Sequence, residues 1–441
     1  VYDSRQHSIL IFIPSYSESL LSIKNTIDSV VNNDYTNESK IIFLVVDGCI
    51  KGSNNDDYTN EYAKSILNVS INCSYDNSFE LYMGEYECVK YILLIKKENK
   101  GKKDSFIEVQ KTLYYTKSND IIIENIAENE KDEYDFQKYT YINNQVKIHG
   151  IHLDKVEYIL MLDTDTIIEN NGIRILANYL DKNAMTSGVC GITTLTNKNV
   201  NLITMSQYYE YWITHYTLKA MESLYGDVLV LSGCFALYRK TVLLNKKLID
   251  SYILEKTDNL YNANITKLGE DRLFTNLLLQ NYPEMNTRYI ENAICFTDAP
   301  DNLKTLFCQR RRWTNSLIFC NLMLLLNIPK YTIFKKIRMI SILLLELWIC
   351  LIMPLLMCLS YFFICIFIYN YNYNADNINI TQTFIFLLFP TIMSLLLFNF
   401  HMVKYSFIFI LFLPLYSIFI PLYSIYHSDD VGWGKTRSIL S

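Results

Sequence analysis

The stretch HSILIFIPSYSESLLSIKNTIDSVVNN, residues 7 to 33, passes from an apolar run through a polar turn into apolar residues at helical spacing. Leu20, Leu21, Ile23, Ile27, Val30 and Val31 fall on one face of a 3.6-residue repeat, and Ser17 is placed to cap the helix. A strand followed directly by a covering helix is the opening unit of an α/β sheet. Three further runs, KIIFLVVDG, VKYILLIKK and VEYILMLDTDT, are short, rich in β-branched residues and bounded by turn or polar residues. The expected fold class is therefore α/β, with a mostly parallel sheet covered by helices on both faces.

Such sheets bind ligands beyond the carboxyl ends of their strands. Three of the four runs end there in PSYSE, DG and DTD, and the fourth is followed closely by KENKGKKDS. Residues 51–80 and 116–150 are rich in Asn, Asp, Glu, Ser and Lys without sustained periodicity, and read as surface insertions. Residues 201–224 have the length and spacing of one long helix.

Hydropathy divides the chain of 441 residues. Residues 1–316 mix charged and apolar groups as a soluble domain does, whereas from residue 317 onward Ile, Leu, Phe, Tyr and Met dominate. In that tail, 317–338 contains an apolar run too short to span and reads as interfacial, while 339–369, 383–403 and 405–426 are long enough to cross a bilayer. Pro354, Pro390, Pro414 and Pro421 would kink these helices without forbidding them. The region 339–426 is thus the expected transmembrane part, and 427–441 a terminal segment. PKYTIFKKIR ahead of the first span and a following loop, YNYNADNINITQT, without Lys or Arg place the head in the cytoplasm. Three crossings would carry the terminal DDVGWGKTR to the far side, unless one segment is re-entrant or the first run folds back near Pro354.

A net charge of −5 with no dense basic stripe over the head argues against a nucleic-acid partner. Eleven scattered cysteines with no CxxC pair argue for reduced thiols, against a disulfide framework or a zinc site. The chain opens at Val1 with no signal peptide in view, and a piece is expected to be missing upstream.

Four motifs carry candidate chemistry. Asp163 and Asp165 of DTDT stand two apart at a strand end, where extended backbone would point them to opposite faces. They serve one site only if the chain turns there; Mg²⁺, which takes one or two carboxylates plus substrate phosphates, is then a fitting ligand, and a plain loop turn is the alternative. Lys102 and Lys103 of GKKDS open a helix and either meet a phosphate or form a solvated basic turn. Glu270 and Asp271 of GEDR either begin a helix or do chemistry. QRRRW, residues 309–313, reads as a lipid-headgroup patch or as guanidinium forks on a diphosphate with Trp313 stacked on a sugar. Asp47 in VVDG is by itself a turn residue, and His152 and His215 read as packing or surface residues rather than ligands.

LDTDT, GEDR and QRRRW in this order, followed by apolar spans, resemble a processive family 2 glycosyltransferase, and most of all chitin synthase. IPSYSES, VVDGCIKG, NKGKKDS, SQYYEYWITHYTLKAMESLYG, LSGCFALYR and the terminal DDVGWGKTR agree with that pattern over nearly the whole chain. Lys103 stands where the family usually has Arg, Ser232 where Pro is common and Gly432 where Ser is usual, and the family's amino-terminal membrane helices are absent. The resemblance implies a GT-A type head in residues 1–316, a polymer channel in the tail and residence in the plasma membrane as a multi-pass protein. It implies UDP-N-acetylglucosamine as donor, a growing chitin chain as acceptor, Mg²⁺ or Mn²⁺ as cofactor and a lipid bilayer as partner, and it is compatible with a homodimer. Carried onto matching positions, Asp47 contacts uridine with Tyr16 and Glu18 near the base; Lys102 and Asp104 hold the nucleotide; Asp163 touches the donor; Asp165 ligates the metal. Asp271 becomes the general base, with Glu270 and Arg272 shaping its surroundings. Gln309, Arg310, Arg311, Arg312 and Trp313 are the candidates for the acceptor end and the diphosphate, and Trp433 for the polymer path. A hyaluronan or cellulose-type synthase, or an inactive membrane scaffold, are the alternatives.

Overall fold

The computed structural model describes residues 7–53, 55–69, 71–116, 130–254, 257–328, 330–372 and 381–432. Nine strands form one sheet: β1 (Ser8–Ser15), β2 (Lys40–Asp47), β3 (Phe79–Tyr86), β4 (Val89–Lys96), β5 (Val156–Leu162), β6 (Ile167–Ile168), β7 (Thr186–Leu195), β8 (Phe235–Arg239) and β9 (Asn286–Thr297), in the order β3-β4-β2-β1-β5-β8-β7-β9-β6. The four runs read from sequence are its parallel centre, β4-β2-β1-β5. The sheet as a whole is mixed, since β3 joins β4, and β8 joins β5 and β7, in antiparallel fashion.

The middles of the central strands are apolar at consecutive positions because both faces are covered. On β1, Leu10 and Phe12 face one core while Ile9, Ile11 and Ile13 face the other. Lys102–Tyr114 and Glu270–Asn281 close the first side with Phe106, Val109, Phe274 and Leu278. Leu20–Val31 and Gly172–Lys182 close the second with Ile23, Ile27, Ile173 and Leu176. The cap of Leu20–Val31 is Ser19, whose oxygen accepts from the Ser22 N–H, and not Ser17, because the Ser17 N–H is drawn to Glu18.

The expected insertions are partly built structure. Thr59–Leu67 is a helix, and Glu130–Ile148 is a 19-residue helix that buries Tyr139, Ile142 and Val146 against Lys102–Tyr114. Leu202–Tyr225 is one long helix interrupted by a π turn at His215–Lys219.

Among the described residues, the helix Leu303–Leu326 and then four apolar helices follow the sheet: Ile333–Leu351, Met353–Asn372, Thr381–Leu396 and Phe400–Tyr426. By length and composition Phe400–Tyr426 suffices to cross a membrane, and Ile333–Leu351 with Met353–Tyr369 passes as a pair bent by 46°. The bend falls just before Pro354, which has no N–H to continue the i to i−4 ladder of the preceding helix. The stretch 383–403, expected as one span, is divided, because the helix ends at Leu396 and Phe398 takes a φ of 52° before the next begins at Phe400. Lys335 fastens the tail to the head by donating to the Pro283 and Met285 carbonyls at 3.0 and 2.9 Å and pairing with buried Asp227 at 3.2 Å.

Lys40 is 1% exposed, and its ammonium donates to the carbonyls of Val30, Val31 and Asn33 at 2.7, 3.0 and 3.2 Å. A cation at the end of Leu20–Val31 satisfies carbonyls that the helix leaves open. Lys40→Met is expected to lower the unfolding free energy by about 1–3 kcal/mol, the cost of orphaned buried acceptors, measured as a shifted denaturant midpoint in detergent.

Candidate active site

β5 delivers Asp163 and Asp165 to the carboxyl edge, and the chain turns there: the Thr166 N–H donates to the Asp163 carbonyl at 3.0 Å. Three hydroxyls fix that turn. Ser22 and Thr26 each donate to the Thr164 carbonyl at 2.9 Å, and Thr164 itself donates to the Pro14 carbonyl at the end of β1. Asp163 and Asp165 are therefore freed from strict strand alternation, and Thr297 of β9 donates to Asp165 at 3.3 Å.

Lys102, first residue of its helix, reaches across to this turn. Its ammonium meets Asp163 Oδ1 at 2.6 Å, Glu270 Oε1 at 3.7 Å and the Gly233 carbonyl at 3.3 Å. Burial works against its charge, yet Asp163, Glu270 and Asp271 together raise its pKa. Glu270, 9% exposed, is pushed up by burial and by Asp271, against the pull of Lys102. Lys103 points elsewhere, over the ring of Tyr252.

Glu270 and Asp271 do begin a helix, Glu270–Asn281, capped by Gly269. A side chain at Gly269 would collide with Ser316, which lets Leu303–Leu326 approach the carboxylates closely. Asp271 Oδ2 accepts from the Gly233 N–H at 3.3 Å, and Oδ1 from the Arg272 N–H at 2.8 Å. Gly233 is tight as well, since a Cβ there would stand 3.0 Å from the Lys102 ammonium.

The nucleotide-side candidates form their own network. Asp47 is 3% exposed and accepts from Lys96 at 2.6 Å and from the Lys100 and Gly101 N–H groups at 3.0 and 2.6 Å, so it anchors the loop before Lys102 rather than standing open. Lys96 also holds Asp104 at 2.6 Å. Glu18 folds back on its own turn, accepting from Ser15 and from the Tyr16 and Ser17 N–H groups. Burial raises the Tyr16 phenol, against a hydrogen bond from Asn99.

The three arginines of QRRRW have three separate destinations. Arg310 grips Glu210 with two bonds of 3.0 and 2.6 Å and lies 4.2 Å from the Trp313 ring. Arg311, 2% exposed, donates to the Asp430 and Gly432 carbonyls and pairs with the Asp430 carboxylate. Arg312 faces Glu270 and Asp271 electrostatically. Trp313 is 42% exposed, with its ring beside Arg310 and Tyr211. Trp433 lies outside the described residues. Sequence reasoning passed over Glu210, although it sits in SQYYEYWITH as an acid among aromatics, and Glu346, an acid inside an apolar run.

An α/β domain with carboxylates and cations gathered beyond its strand ends, joined to apolar helices, is the class these features define. A family model described as chitin synthase matches residues 1–90 and 93–441, and the chain belongs to that family. It is 32% identical to chitin synthase 6 of Mycosarcoma maydis over 97% of this chain and 38% of that protein. To chitin synthase 8 of the same organism it is 30% identical, over 97% of this chain and 22% of that protein. The chain thus spans well under half the length of these relatives. Among solved structures, a mannosyltransferase from Pyrobaculum calidifontis in complex with GDP-Man and Mn²⁺ aligns with a TM-score of 0.48 at 12% identity, covering 94% of this chain and 88% of that one. At that score the likeness carries no argument.

His215 is a packing residue inside the π turn: Nδ1–H donates to the Tyr211 carbonyl at 2.7 Å and Nε2 accepts from the Thr193 N–H at 3.3 Å. Burial, helped by Lys219, lowers its pKa to about 3. The folded chain therefore keeps it neutral where the unfolded chain takes up a proton, and stability that is full above about pH 6.5 is lost as pH falls toward 3. His215→Asn is expected to flatten the fall in melting temperature between pH 6.5 and 4, read by a pH series of thermal melts.

Proposed function

We propose that the chain is the catalytic and membrane-embedded part of a chitin synthase, transferring N-acetylglucosamine from UDP-N-acetylglucosamine to the non-reducing end of a growing β-1,4 chain. The observation that carries the reading is the span of Lys102. By touching Asp163 at 2.6 Å and Glu270 at 3.7 Å it brings the DTDT turn and the GEDR helix to one cleft. A single displacement needs those two sides: charge stabilisation for the leaving group and a base for the incoming hydroxyl.

On the acceptor side, Asp271 takes the proton of the sugar hydroxyl as its oxygen attacks the anomeric carbon. The bond from that carbon to the diphosphate breaks on the opposite face, so an α-linked donor yields a β linkage. The Gly233 N–H and the Arg272 N–H aim the Asp271 carboxylate. Lys102 and Arg312 balance the acidic cluster, and Trp313, backed by Arg310, offers a stacking face to a sugar ring.

Among the described residues no group of three or more His, Cys, Asp or Glu surrounds a metal position. Asp163 and Asp165 on one turn nevertheless fit Mg²⁺ or Mn²⁺, which complete their shell with diphosphate oxygens and water. When bound, the ion draws off negative charge from the departing nucleotide. In this reading the head is a GT-A domain facing the cytoplasm of a plasma membrane, and the tail, from 339 to 426, carries the polymer across. Interfacial residues 317–338 join the two, and processivity follows if the polymer is held between additions.

Asp271→Asn is expected to lower kcat by about 10²–10⁴-fold while UDP still protects the protein in a thermal shift. Unchanged turnover would remove the base assignment. Membranes given UDP-N-acetylglucosamine alone are expected to form an insoluble polymer that chitinase dissolves and that EDTA prevents. A requirement for UDP-glucuronate or UDP-glucose would move the chain to another polysaccharide.

A further inference from the structure

Arg272 sits beside the proposed base and reaches away from the cleft. Its Nη1 lies 3.7 Å from Glu346 Oε2, and both side chains are shielded, 12% and 8% exposed. Glu346 belongs to Ile333–Leu351, an apolar helix of the tail, where it is the single acid in IFKKIRMISILLLELWICL. An ionisable group in such surroundings is costly unless it is paired and hydrogen-bonded. Glu346 has those partners: Asn321 of Leu303–Leu326 donates to it at 2.6 Å, and Glu222, from the long helix, is an electrostatic neighbour.

Glu222 is itself 3% exposed and accepts from the Leu229 N–H at 2.8 Å. Burial first, and Glu346 second, push the Glu222 pKa well up. Lys219, one turn earlier, donates to Ser232 at 2.5 Å. Four elements therefore meet at Glu346: the base-bearing helix, the QRRRW helix, the long helix and the helix that opens the bent apolar pair.

Resting on the assignment of Asp271 as base, we propose that Glu346 is a positioning residue for the transfer reaction. Its carboxylate pairs with Arg272 and accepts from Asn321, and through Arg272 it holds the first turn of Glu270–Asn281. The tail helix thereby fixes the aim of the Asp271 carboxylate, and catalytic output follows the seating of that helix against the head.

The test uses the full chain in nanodiscs with four variants, read by kcat, KM for UDP-N-acetylglucosamine, UDP-induced thermal shift and melting temperature. E222Q keeps an acceptor for the Leu229 N–H and leaves the Arg272–Glu346 pair in place, so its kcat is expected to stay near that of the unmodified protein. E346Q removes the charge from Arg272, and kcat is expected to fall about a hundredfold, the scale of a small misplacement of a catalytic group, with KM and UDP binding retained. E346D, which restores the charge, is expected to recover most of the rate. Losses equal in E222Q and E346Q, or a loss in E346Q that tracks melting temperature alone, would overturn the proposal, as would an E346Q enzyme of unchanged kcat. D271N separates the two readings: if it abolishes turnover while E346Q does not, the positioning role fails alone, and if D271N stays active the base assignment has failed first.

Discussion

Crowded carboxylates are the constraint on which the rest of this molecule depends. Asp163, Asp165, Glu270 and Asp271 gather beyond the strand ends, and like charges at that density repel unless buried cations sit among them. Lys102 is the central cation, held by Asp163 at 2.6 Å and by Glu270 at 3.7 Å. Its place is secured in turn by Asp47, which accepts the N–H groups of the loop ahead of it and so sets where the helix begins. A strand-end acid that looks like a ligand contact in sequence thus acts, in the fold, as the foundation for another residue.

The same division of labour governs QRRRW. Three consecutive arginines on one helix point in three directions, about 100° apart per residue, and each finds a different acid or carbonyl. Arg310 ties the helix to the long Leu202–Tyr225 helix through Glu210, Arg311 ties it to the segment beyond the last apolar helix, and Arg312 turns to the acidic pair. Arg is suited to this because its fork satisfies two acceptors at once while staying charged when buried. Two of the three guanidiniums are thus committed to the scaffold, and the third stands with Lys102 as a cation beside the acidic pair.

The four central strands were legible because both of their faces are buried, which leaves β-branched runs ending in turn residues. The antiparallel strands were not. The β3–β4 hairpin turns on Glu87 and Cys88, with φ of 46° and 67°, where the usual Asn or Gly signal is absent. Glu130–Ile148 escaped notice because its core-facing Phe136, Tyr139, Ile142 and Val146 are scattered through a polar sequence. The DTDT, GEDR and QRRRW motifs could be found by residue type, and the need for a turn at Asp163 followed from strand alternation alone. What could not be read was partnership across the chain: Glu210 with Arg310, or Glu346 with Arg272, stand 100 and 74 positions apart, and no local pattern records such a contact.

The bonds from Arg311 to Asp430 and Gly432 carry a topological consequence. They join a point ahead of the apolar tail to a point beyond it, and Asn264 of the head holds the Ser428 carbonyl at 2.9 Å in the same region. Two ends that touch lie in one compartment. Wherever the intervening helices cross a bilayer, ends that touch call for an even number of traversals, which favours a re-entrant or folded-back segment over three crossings. Parity, set by a single buried guanidinium, ranks above any tally of hydrophobic segments.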